Sequence, residues 1–136
     1  MFKKYFLIVL FTFAIPFGHA QDNRWELVET ASNNGTNITL YIDKLTIQRV
    51  GNEVTYWDKR NYDKEDKFGN RSGKANKVIN CKTREVRLKF FAGYSEVDNK
   101  GELRFSSNAS GDNAMNTPIL PDSVDESFYY RVCGKK

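Results

Sequence analysis

Few side chains in this sequence are of a type and spacing that could do chemistry. There are two cysteines, Cys81 and Cys133, and one histidine, His19. An adjacent carboxylate pair, Asp125 and Glu126, stands near the C-terminus. A basic run includes Arg71, Lys74, Lys77, Lys82, Arg84 and Arg87. Without a second histidine there is no His-ligated metal set, and a paired cysteine cannot hold zinc. A Ser-His-Asp or Cys-His arrangement would have to use His19.

His19 sits in a segment that reads as a leader. Lys3 and Lys4 precede an apolar run, Tyr5–Phe17, and Gly18-His19-Ala20 offers a small-x-small cleavage site before Gln21. The run is shorter than the roughly 20 apolar residues that a spanning helix needs. The expectation is a signal peptide over 1–20 and one domain over 21–136. No cysteine stands at the cleavage point, so neither a lipid anchor nor a transmembrane anchor is expected. Export puts Cys81 and Cys133 in an oxidising compartment, where two cysteines pair. A nucleophilic cysteine would need a neighbouring base, and His19 leaves with the leader.

The elements that must position these residues follow from periodicity. Pro121-Asp122 stops the preceding chain, and Ser123 with Glu126 has the spacing of a capping box. Val124, Phe128 and Val132 then recur along one helix face, and Gly134 ends the helix. Asp125 and Glu126 fall in the first turn, where acids favour the helix dipole, so the structural reading of this pair outweighs a catalytic one. Upstream, Trp25–Glu29, Ile38–Ile42, Leu45–Val50, Glu53–Asp58, Lys77–Lys82, Glu85–Phe91 and Gly101–Ser106 read as strands. Gly51-Asn52 is a hairpin turn. In Glu85–Phe91 the alternation puts Val86, Leu88 and Phe90 inward, and Leu103 and Phe105 follow the same pattern. Core packing is expected for Trp25, Trp57, Phe90 and Phe128. Lys59–Lys74 lacks apolar periodicity and reads as a long exposed loop, and Ser107–Thr117 reads as a surface linker.

The expected class is α+β: an antiparallel meander sheet of six or seven strands, with one C-terminal helix stapled to a face by Cys81–Cys133. An edge strand of such a sheet offers a route to a homodimer or to a structural assembly partner.

Charge is concentrated. Residues 59–89 hold 11 basic and 4 acidic side chains, a net of +7. Such a segment attracts polyanions, or it is a solvated face that keeps the protein soluble. No nucleic-acid-binding signature accompanies it, so nucleic acid is not an expected partner, and neither is a cofactor.

An ordered set of short features resembles the surface-adhesin protein E family. These are Trp25-x-Leu27, Leu40-Tyr41-Ile42-Asp43, Trp57, Val78-Ile79-Asn80-Cys81 and the ending Pro121-Asp122-Ser123 … Val132-Cys133. The resemblance implies a disulfide-joined sheet and helix, and a periplasmic, secreted or surface location. It implies non-catalytic adhesion to extracellular-matrix and plasma proteins. It also implies binding by the basic stretch around the first cysteine, here Arg71, Lys74, Lys77, Lys82, Arg84 and Arg87.

Overall fold

The computed structural model describes residues 23–135. The expected leader, residues 1–20 with His19, lies outside them. Eight strands and one helix follow in chain order: β1 Trp25–Asn33, β2 Thr36–Asp43, β3 Gln48–Val50, β4 Glu53–Tyr62, β5 Ser72–Asn80, β6 Glu85–Tyr94, β7 Leu103–Asn108, β8 Thr117–Pro118 and α1 Val124–Cys133. They form one antiparallel sheet in the order β1-β2-β4-β5-β6-β7, with β3 added beside β4 and β8 beside β6. The α+β class, the meander and the C-terminal helix match the sequence reading.

β4 has two partners on one side because the incoming chain breaks. Its outer half pairs with β2, Ile38↔Tyr62 to Ile42↔Asp58, and its inner half pairs with β3. Asp43 makes the break. Its Oδ1 accepts from the Leu45 amide at 3.1 Å, and its carbonyl accepts from Thr46 Oγ1 at 3.0 Å. A single 3-10 turn, Lys44–Thr46, therefore stands where a strand over Leu45–Val50 was expected, and only Gln48–Val50 is extended.

One face of the sheet carries the core. Leu40, Ile42, Tyr56, Ile79 and Val86 pack under Phe128, Tyr129 and Ile119. Phe128 is fully buried and stacks on Tyr56 with ring centroids 5.3 Å apart. Burying such a ring is worth about 2–3 kcal/mol. The helix begins as its sequence dictates. Ser123 Oγ accepts from the Glu126 amide at 3.2 Å, while Glu126 Oε1 accepts from the Asp122 amide at 3.2 Å. It ends at Gly134, whose φ of 85° suits a residue without a Cβ. Cys81 and Cys133 are joined, with 5.6 Å between their α-carbons, so the helix end is fixed to the turn after β5.

Four further expectations are corrected. The stretch 59–74 is mostly strand: β4 runs on to Tyr62 and β5 starts at Ser72, leaving a loop of 63–71. Its polar side chains are buried in pairs, which an apolar pattern does not register. Phe90 is not on the core face. A bulge opposite Asn76/Lys77 breaks the alternation of β6, so Leu88 stays on the helix side and Phe90 crosses over to meet Trp57 at 5.5 Å. Leu103 and Phe105 are substantially exposed, because β7 is an edge strand that the ten-residue helix does not reach. Trp25 and Trp57 are only half-buried, on the face away from the helix.

Candidate binding surfaces

The six basic residues singled out in the sequence are not brought together. Antiparallel register puts Lys74 and Arg87 on the open face of the sheet, away from α1. Lys74 Nζ lies 5.5 Å from the Trp57 ring centroid and 5.8 Å from that of Tyr94. Arg87 is 3.9 Å from Glu53. Lys77 is on the helix face, where its Nζ meets Asp125 at 2.8 Å. Lys82 is exposed in the β5–β6 turn. Arg84, in the same turn at a φ of 58°, pairs with Glu126 and lies over the Tyr129 ring at 4.9 Å. Arg71 donates from Nε to the Tyr62 carbonyl at 3.2 Å. The charge counted along the chain is thus partly cancelled in space by Glu53, Asp58, Asp98, Asp125 and Glu126.

Two charge networks explain where the rest went. Asp58, with no exposed surface, holds Arg60 at 3.2 Å and Lys77 at 3.5 Å beneath the start of the helix. Asp58 raises the pKa of Arg60, against the opposing effect of burial. Burial, and then Asp58, pushes the Tyr56 hydroxyl well above its ordinary pKa. On the open face, Lys59 lies between the rings of Trp25 (4.8 Å) and Tyr41 (4.9 Å) and pairs with Asp98 at 2.9 Å. Hydrogen bonds from Asn61 and Lys59 hold Asp98 below the ordinary carboxylate pKa. These buried pairs lock β4 to its neighbours.

Asp125 and Glu126 do not converge on a pocket as a catalytic pair. One binds Lys77, and the other binds Arg84 and the Asp122 amide. Among the described residues no group of three or more His, Cys, Asp or Glu could hold a metal ion, and no helix is long and apolar enough to cross a membrane.

A cavity of about 500 Å3, unmarked by any sequence pattern, lies on the helix side and is bordered by Asp125 at the start of α1. Its floor includes Gly73, Ala75 and Gly93, and its walls include Arg60, Asn70 and Phe105. Two glycines and an alanine at successive inward positions of adjacent strands leave the hollow, since nothing projects from them to fill it.

The family profile of surface-adhesin protein E matches residues 25–134. The chain belongs to the surface-adhesin protein E family. Three solved structures of Haemophilus influenzae protein E share the fold at low sequence identity. A second crystal form has a TM-score of 0.54 at 20% identity and covers 69% of this chain and 79% of that one. Another structure gives 0.54 at 18%, covering 69% and 76%. The protein from a non-typeable strain gives 0.53 at 18%, covering 80% and 82%. No curated protein matches by sequence. The family sets the adhesin-like binding class, while the crosslinked sheet and helix are seen here directly.

Proposed function

We propose that this chain is an exported, non-catalytic adhesin-type protein that takes polyanionic extracellular macromolecules on the open face of its sheet. Family membership supports the class and the exported or cell-surface setting. The observation that carries the reading is the uncovered Trp57–Phe90 pair flanked by Lys74 and Arg87. Cations beside aromatic rings on a rigid sheet bind sulfated or carboxylated chains by charge and by ring contact. In this reading Lys82 extends the surface at the strand ends. Lys77 and Arg84 serve the fold instead, because acids already occupy them.

Heparin-affinity elution over a salt gradient tests it. Lys74→Glu with Arg87→Glu should elute at clearly lower salt than the wild type, and Lys64→Glu in the 63–71 loop should change elution less. Equal elution of all three proteins would overturn the proposed surface.

A further inference from the structure

The cavity on the helix side, about 500 Å3, is of a size that holds a small molecule. The charges on its walls are already answered. Arg60 pairs with Asp58 at 3.2 Å, and Lys77 pairs with Asp125 at 2.8 Å. Asp66 Oδ1 accepts from the Phe68 and Asn70 backbone amides at 2.8 and 2.9 Å. Both Asp66 oxygens also accept from Asn70 Nδ2, at 3.2 and 2.9 Å. Among the described residues one side-chain atom of the walls is left over. Asn70 is 2% exposed, and its Oδ1 is buried with no hydrogen bond. The amide cannot turn to relieve this, because turning would set its oxygen against the Asp66 carboxylate.

Oδ1 stands over the cavity floor, 2.6 Å from where a Cβ on Gly93 would be. The other group nearest that point is the Phe105 ring, with Cε1 2.5 Å from it. A buried water needs two to four polar partners, and a phenyl edge above a glycine adds none to Oδ1. The walls beside it are apolar: Val86, Leu88, Phe91 and Met115. Phe91 meets Phe105 edge-on, with ring centroids 5.3 Å apart. Phe105 is 37% exposed on β7, a strand paired only with β6 among the described residues. A half-exposed ring at such an edge changes rotamer readily, and a swing toward solvent opens the way to Oδ1. The cavity therefore offers ring and thioether contact beside one unanswered acceptor.

We propose that this cavity binds a neutral aromatic small molecule carrying one ring N–H or O–H. The ligand's ring lies against Phe91 and Phe105, and its donor meets Asn70 Oδ1 over Gly93. A neutral ligand fits because Arg60, Lys77 and Asp125 are paired and Asp66 is filled by N–H groups, so no wall charge calls for a counterion. The site is on the opposite face from the Lys74–Arg87 surface and does not depend on it.

Amide-resolved NMR titration of the wild-type protein with indole and with benzofuran tests the proposal. The two probes have nearly the same shape, but only indole carries an N–H. Indole should shift the Gly93 amide, the Asn70 side-chain NH2 and the Phe105 ring signals. It should bind roughly tenfold more tightly than benzofuran, the ratio expected for one satisfied hydrogen bond. Gly93→Ala puts a methyl group where the donor would stand and should weaken indole at least tenfold. Equal affinity for the two probes would overturn the role of Asn70, and this comparison needs no variant to fold. Unchanged indole affinity in folded Gly93→Ala would overturn the placement over Gly93. Shifts confined to Trp57 and Phe90 on the open face, or no shift at the cavity residues with either probe, would overturn the site itself.

Discussion

The crosslink between Cys81 and Cys133 closes a loop with a sequence separation of 52, containing β6, β7, β8 and the helix. Replacing both cysteines with serine releases that loop in the unfolded chain. In the chain-entropy account the loss is about 4 kcal/mol, a large share of a small domain's stability. The native helix has other attachments. Phe128 stacks on Tyr56, Arg49 Nη2 donates to the Val132 carbonyl at 2.9 Å, and Arg131 pairs with Glu26. The serine double variant should therefore keep its near-ultraviolet circular dichroism while its guanidinium midpoint falls. Its denaturant slope should rise, because the freed unfolded chain exposes more surface. Hydrogen exchange separates this from the alternative. If the link acts on the unfolded state, α1 and the sheet lose protection together. A loss below about 1 kcal/mol, or exchange that frees α1 while β4 and β5 keep full protection, would refute the reasoning.

Asp58→Ala leaves Arg60 without its carboxylate and strips Lys77 of one of two, and should cost about 3–5 kcal/mol in urea unfolding. Gly93→Ala forces a Cβ to within 2.6 Å of Asn70 Oδ1 and should cost about 1–3 kcal/mol, seen as a lowered melting temperature. Ser123→Ala removes the helix cap and should cost about 1 kcal/mol by the same assay. Acid should weaken the fold in a defined window. Hydrogen bonds lower Asp98 from its ordinary 3.8, and the Arg131 hydrogen bond lowers Glu26 from 4.5. Groups with depressed native pKa stabilise above those values and lose that contribution as pH falls through their native ones. Urea midpoints should hold steady at mildly acidic pH and drop below pH 4.5. Asp98→Asn should make the drop shallower.

What the sequence disclosed about the fold was whatever apolar periodicity and capping chemistry encode. Ser123, Glu126, the Val124–Phe128–Val132 stripe and Gly134 marked the helix, and alternation marked the ladders that meet it. What stayed hidden was encoded in charge and in backbone detail. β4 looks like a loop past Asp58 because Lys59 and Arg60 are paired with acids, and one of those, Asp98, arrives from 39 residues on. The bulge that turns Phe90 outward depends on the register between β5 and β6, which neither strand shows alone. The basic segment 59–89 begins one residue after Asp58, and nothing along it shows Asp125 or Glu126 folding back. The cavity left no mark because it is made by what Gly73, Ala75 and Gly93 lack.

The ten-residue helix, about 15 Å long, covers only one end of a sheet six strands wide. The staple, the cap and the stacked rings all lie at that end, so the chain is built like a hull ballasted on one side. Amino-acid changes in β7 and in the 63–71 loop leave the ballast untouched. That half is where natural variation, or a deliberately grafted epitope, can rewrite what the protein recognises without endangering its folding.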